Sequence, residues 1–225
     1  MKIQFLGHAA FALEHDGKTV LVDPFLTGNP KAAASADEVA ADAIFLTHGH
    51  GDHIGDTVDI AKRTGATVVA IVELANELGE SGVADVKDPN IGGTVDLGWV
   101  SVRLTPAWHT STTPKGTVNT PAGLVVEMGG KRIYFAGDTA LFSDLALPAK
   151  RGHIDLAVIP IGGHYTMDRF DAVVAAELIK ADQVIPCHYD TFPPIETDAQ
   201  AFKADVQNAG FAEVIVLDPG AAHEL

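Results

Sequence analysis

Four potential metal ligands fall within six residues in the segment Thr47-His48-Gly49-His50-Gly51-Asp52-His53. Imidazole nitrogen and carboxylate oxygen are the donors that borderline divalent cations such as Zn, Mn and Fe accept. Gly49 and Gly51 stand between them, and glycine lets a backbone fold tightly enough to turn neighbouring side chains toward one point. The competing reading is a solvated histidine-rich loop, but three histidines and an aspartate at these fixed offsets rarely arise by chance. One cluster is not a complete site. His109, Asp138 and His188 each leave an apolar run for a polar turn, where the loops of an α/β protein collect function. Taken singly, each reads as a satisfied turn or core residue; taken with the cluster, each reads as a ligand.

Something must bring these residues together. Short apolar or alternating runs at 3–6, 11–14 and 19–22 read as strands, the last two joined by His15-Asp16-Gly17-Lys18, a strong hairpin signal. A buried strand at 43–46 leads straight into the histidine cluster. A helix is expected at 55–63 and a strand at 66–71. The middle reads as strands at 95–97, 100–106, 123–128 and 132–135, with Gly129-Gly130 as a second hairpin turn. Alternation resumes with a strand at 154–160, a helix at 168–180, a strand at 183–186, a helix at 198–208 and a strand at 213–217. Mixed strands with helices before, between and after them predict two packed sheets with helices outside. No tandem repeat or linker stands out, so one domain over 1–225 is expected.

The sequence resembles the metallo-β-lactamase superfamily. Its HxHxDH element is matched by His48, His50, Asp52 and His53, and His109, Asp138 and His188 follow in the family's order. The resemblance implies an α/β fold: a four-layer αββα sandwich of two mixed β-sheets flanked by helices. It also implies two divalent metal ions per chain, with zinc foremost and manganese or iron as alternatives. Carried over, His48, His50 and His109 would bind the first metal, Asp52, His53 and His188 the second, and Asp138 would bridge them. Gly7-His8-Ala9-Ala10-Phe11, Val22-Asp23-Pro24-Phe25 and Pro160-Ile161-Gly162-Gly163-His164-Tyr165 look like a small metal-dependent hydrolase branch near the sugar-phosphate lactonases.

Paired cations can lower the pKa of a bridging water and deliver hydroxide to an electrophile. The expected function is therefore hydrolysis of a small ester-type substrate: a lactone, phosphoester or thioester. Asp52 would orient the nucleophile and shuttle its proton. His8 is a candidate for contact with substrate or with a ligand, since a ring nitrogen often supports metal ligands. His164 and Tyr165 are candidates for polarising a substrate oxygen or protonating a leaving group. Asp23 reads either as a partner of a ligand histidine or as a simple Asp-Pro turn. His15, His153 and His223 have no chemical role in this reading. Cys187 is expected to be a buried structural thiol, and Trp108 and Phe192 are candidate pocket walls.

Composition narrows the field. The 225 residues carry a formal net charge of -15, with 15 Lys and Arg against 30 Asp and Glu. Binding to phosphate backbones draws on basic clusters, so nucleic acid is not an expected partner and a nuclease role ranks low. A single cysteine excludes an internal disulfide, and no apolar stretch is long enough to span a bilayer. The N-terminal segment lacks the form of a signal peptide, so the cytoplasm is the expected location. A small-molecule substrate is expected, no membrane partner is, and a homo-oligomer remains open. The competing class is a non-catalytic metal- or metabolite-binding protein on the same fold.

Overall fold

The computed structural model describes residues 1–225. The first sheet begins with β1 (Lys2–Gly7), β2 (Ala10–His15) and β3 (Lys18–Val22), paired antiparallel in sequence order. The turn between β2 and β3 is the expected one. Asp16 and Gly17 have φ of 47° and 74°, the two positive values that a tight primed hairpin turn requires. After β3 the pairing becomes parallel through β4 (Ala43–Phe45), β5 (Thr67–Val69) and β6 (Val86–Lys87). Between these strands lie α1 (Gly51–Ile54), α2 (Thr57–Thr64) and α3 (Val72–Glu80).

The second sheet repeats this plan. Antiparallel β7 (Thr94–Asp96), β8 (Val100–Pro106), β9 (Ala122–Met128) and β10 (Lys131–Phe135) come first. Parallel β11 (Leu156–Pro160), β12 (Gln183–Cys187) and β13 (Glu213–Val214) then follow. Helices α4 (Leu147–Lys150), α5 (Arg169–Ile179) and α6 (Ala199–Ala209) connect them. The chain ends in β14 (Ala222–Glu224), which pairs with β1, so each sheet has seven strands. Two mixed sheets flanked by helices are the expected sandwich.

Alternation along the strands builds its layers. Leu124, Val126, Ile133, Phe135, Leu156 and Val158 face the core shared with the first sheet. Val125, Tyr134, Ala157 and Ile159 face the opposite way, in a second core with α5 and α6. Phe11 of the first sheet meets Phe135 of the second edge-on, with ring centroids 5.7 Å apart.

The differences from expectation are local. The helix expected at 55–63 starts at Thr57, and its own short predecessor α1 takes up the end of the histidine cluster. The strand expected at 66–71 stops at Val69, because Ile71 is already the residue that opens α3. Strands expected at 154–160 and 213–217 are Leu156–Pro160 and Glu213–Val214. His223, near the C-terminus, pairs with Ile3 across β14 and β1.

Candidate metal centre

Each ligand candidate stands where a strand gives out. The cluster beginning at His48 follows β4, and the main chain then enters α1, carrying Asp52 and His53 onto a helical turn. His109 follows β8, Asp138 follows β10 and His188 follows β12. The two sheets thus bring their edges together at one place. Backbone bonds cross between them there: Ala122 N donates to Thr47 O at 2.9 Å, and His188 N donates to His8 O at 2.8 Å.

The side chains converge in three overlapping groups, each with ligand atoms within 4.8 Å of one another. One is His48, His50 and His109; the second is His48, His53 and Asp138; the third is His8, Asp52, His53 and His188. Asp138 lies among them. Its Oδ1 is 3.4 Å from His53 Nε2, and its Oδ2 is 3.2 Å from His188 Nε2 and 3.6 Å from His109 Nε2. His48 Nε2 and His50 Nδ1 face each other at 3.0 Å.

Supporting contacts orient these rings. His53 Nδ1 lies 2.8 Å from Asp23 Oδ2, while Thr47 donates to the same carboxylate from its backbone and its hydroxyl at 2.8 and 2.6 Å. That arrangement puts the His53 proton on Nδ1 and presents Nε2 to the centre. Asp23 therefore contacts a candidate ligand histidine in addition to standing in an Asp-Pro turn. His8 is buried, with Nε2 at 3.1 Å from Asp52 Oδ2 and Nδ1 at 2.9 Å from Thr191 Oγ1. Gly49 N donates to Ser111 Oγ and to Asn119 Oδ1 at 2.9 and 3.2 Å, which fixes the peptide between His48 and His50. Asp23, His8 and His188 all have positive φ, at 45°, 61° and 54°. Such strain outside glycine persists only where the surroundings hold it, and it clusters at functional sites.

Electrostatically the pocket couples buried carboxylates to buried imidazoles. Burial pushes both aspartates up, yet the neighbouring imidazoles outweigh it and hold Asp52 and Asp138 well below the usual carboxylate range. Burial disfavours a charged His53 or His188, but the carboxylates of Asp138, Asp23 and Asp52 prevail; His53 rises well above normal and His188 rises to about 9. At the other histidines burial outweighs the nearby carboxylates: His8 falls to about 4, and His48 and His109 also fall. His53 Nε2 and both His188 nitrogens are buried with no hydrogen-bond partner, and the carboxylates beside the two Nε2 atoms lie at ion-pair distance without hydrogen-bond geometry. Buried polar atoms are normally satisfied. Orphaned imidazole nitrogens converging beside shared carboxylates fit a divalent cation, and the donor set suits Zn, Mn or Fe.

His164 and Tyr165 sit apart from these groups. They are exposed on the loop after β11, their rings edge-to-face at 4.6 Å, with no polar contact to the cluster. Trp108 is 68% exposed at the rim, while Phe192 lies against His8 with ring centroids 5.7 Å apart. Cys187 is buried, and burial pushes its thiol up. Ser111, Asn119 and Thr191 were not among the expected site residues. Only Thr191 has a local signal, three positions past His188.

Residues 2–188 match the family profile described as Beta-lactamase superfamily domain. A UPF0173 metal-dependent hydrolase of Methanopyrus kandleri is 47% identical over 229 residues, covering 100% of both chains. Another, from Carboxydothermus hydrogenoformans, is 48% identical and covers 98% of each. Among solved structures, Igni18, a metallo hydrolase from Ignicoccus hospitalis, is 36% identical with a TM-score of 0.90, covering 100% of this chain and 98% of that one.

Proposed function

Because the chain belongs to the β-lactamase superfamily, among its metal-dependent hydrolases, we propose that its His–Asp cluster holds two divalent cations and hydrolyses a small ester-type substrate. The observation that carries this reading is the position of Asp138, whose two oxygens face histidines of both ligand groups. His48, His50 and His109 would hold one cation, Asp52, His53 and His188 the other, with Asp138 between them. Bound there, such cations supply Lewis acidity and lower the pKa of a water toward neutrality. Zinc is the first choice, with manganese and iron as alternatives.

The protein's own groups do the rest. Asp52 is the most open carboxylate of the cluster, its side chain 32% exposed. Its Oδ2 is occupied by His8 and approached by His188, at 3.1 and 3.8 Å, which leaves Oδ1 to take the proton of an attacking water. Buried between Thr191 and Asp52, His8 fixes the angle of that carboxylate and acts as a positioning residue. His164 and Tyr165, on their exposed loop, are assigned to polarising a substrate oxygen or protonating the leaving group. The substrate is a lactone, phosphoester or thioester of metabolite size, in the cytoplasm, with no part for nucleic acid or membrane.

Protein loaded with zinc, manganese or iron should turn over one substrate class in a panel of lactones, phosphoesters and thioesters. Metal analysis should find two ions per chain. Asp138→Ala should lose roughly 10²-fold or more of that rate, the scale of a removed charge-stabilising group. His15→Ala, at the distant β2–β3 turn, should retain it. Equal loss or equal tolerance in the two variants sinks the site assignment.

A further inference from the structure

The second sheet carries a concentration of positive charge that the metal centre does not use. On its outer face, away from the core shared with the first sheet, a cavity of about 270 Å³ is lined by Arg103, Arg132, Lys150 and Arg151. These are four of the chain's 15 basic residues, and none of its 30 acidic residues lines the same cavity. In a protein with a net charge of -15, cations are expected to find carboxylates. Arg103, Lys150 and Arg151 form no ion pair, although Lys2, Lys18, Lys87, Lys131 and Arg169 all do.

The cavity is shaped as well as charged. Arg103 and Thr105 point the same way from β8, two residues apart, and Val125 faces them from β9. Arg132 is anchored by its bond to Pro148 O at 3.1 Å, which ties β10 to α4. Its Nε sits 3.1 Å from Glu127, outside hydrogen-bond geometry, and is left buried without a partner. Thr105 forms part of the wall, 8% exposed, and its Oγ1 also lacks a partner that meets hydrogen-bond geometry, although the Tyr134 phenol is close by. Val125 and half-exposed Leu147 supply an apolar wall. Guanidinium groups recognise carboxylate and phosphate oxygens through paired N–H donors.

We infer that this cavity binds a small organic anion, a phosphate monoester or carboxylate with a short apolar body. The site is separate from the metal centre and does not depend on the hydrolase reading. Butyl phosphate and hexanoate are the probes, with butanol as the uncharged control, each titrated into isotopically labelled, zinc-loaded protein and followed by NMR. At least one anion should give saturable shifts in the Gly92, Arg103 and Thr105 amides at millimolar concentration. Which of the two binds more tightly identifies the charged group. Replacing Arg103 and Arg151 together by Met should weaken binding by about tenfold or more, the loss expected for charge-assisted bonds. The fold, the melting temperature and the shifts around His48 should stay as they were. Shifts confined to the loops of His48 and Asp138, an equal response to butanol, an unaltered affinity in the double variant, or no saturable response would each overturn the inference.

Discussion

His53 has an aspartate at each ring nitrogen, Asp23 at 2.8 Å and Asp138 at 3.4 Å. Only the second faces the other ligands, so Asp23 acts through the orientation of the ring. Asp23→Asn should therefore lower metal affinity by roughly 10–100-fold while circular dichroism stays native. Competition with a chelator measures this, and an unchanged affinity would remove Asp23 from the site. Gly49 has a different constraint. A Cβ there would stand 2.6 Å from Asn119 Nδ2 and 2.7 Å from Thr113 Cγ2, and Thr113 is itself tied at 2.6 Å to the buried Glu77. Gly49→Ala should cost ~1–3 kcal/mol, the usual penalty of overpacking, read from a denaturant midpoint. The histidine cluster was legible because its members are neighbours in sequence. Asn119 and Thr191 were not, because their partners Gly49 and His8 lie 70 and 183 positions away, and only the fold brings them close.

Helix α5 shows how an element end carries stability. The Asp168 side chain accepts from both Phe170 N and Asp171 N, satisfying two donors that the helix cannot pair internally. Asp168→Ala should cost ~1 kcal/mol and lower the melting temperature by about 2–4 °C. Asp42 clamps the starts of β3 and β4: Lys18 Nζ donates to it at 2.7 Å and Thr19 N at 2.9 Å. The Lys18 bond, helped by the Thr19 amide, holds its carboxyl below the usual range despite some burial. A depressed folded pKa contributes stability above the unfolded value, near 3.9, that fades as pH falls through the folded one. Asp42→Asn should therefore lower the melting temperature at pH 7 and flatten its fall below pH 4. Parallel curves for the two proteins would refute the clamp. The hairpins were readable from Asp16-Gly17 and Gly129-Gly130, whose positive φ values explain the residue choice. Helix α3 escaped notice although Leu74, Ala75 and Leu78 repeat at helical spacing, because the apolar run of β5 leads directly into it. β6 and β14 are too short for alternation to show.

Across the whole molecule, each sheet sets antiparallel strands beside three parallel ones, and each delivers an aspartate just after the last antiparallel strand. Asp23 follows β3 and Asp138 follows β10, and the two meet at the same histidine. No repeat is visible in the sequence because strand pairing uses backbone groups and asks of the side chains only alternation. The sandwich could be expected from alternating elements, whereas this internal correspondence depends on which strands pair. Candidate ligands contributed by both sheets would make a bound cation a cross-link between them. Stripping it with a chelator should lower the melting temperature by roughly 5–10 °C, and zinc should restore it. The scale follows from a cation at about a hundredfold above its Kd, which adds ~2.7 kcal/mol. An unchanged transition would mean that the sheets hold together without it.

The candidate ligands are strung along the chain from His48 to His188, and this gives the site a history. Synthesis runs at ~5–20 residues per second, so His48, His50, Asp52 and His53 leave the ribosome on the order of ten seconds before His188 is made. For that interval the nascent chain offers three imidazoles and a carboxylate on a glycine-bearing segment, with the second sheet still incomplete. A cation taken up by such an open half-site would be chosen by intrinsic affinity alone. The shape and charge that distinguish one cation from another arrive only with Asp138 and His188.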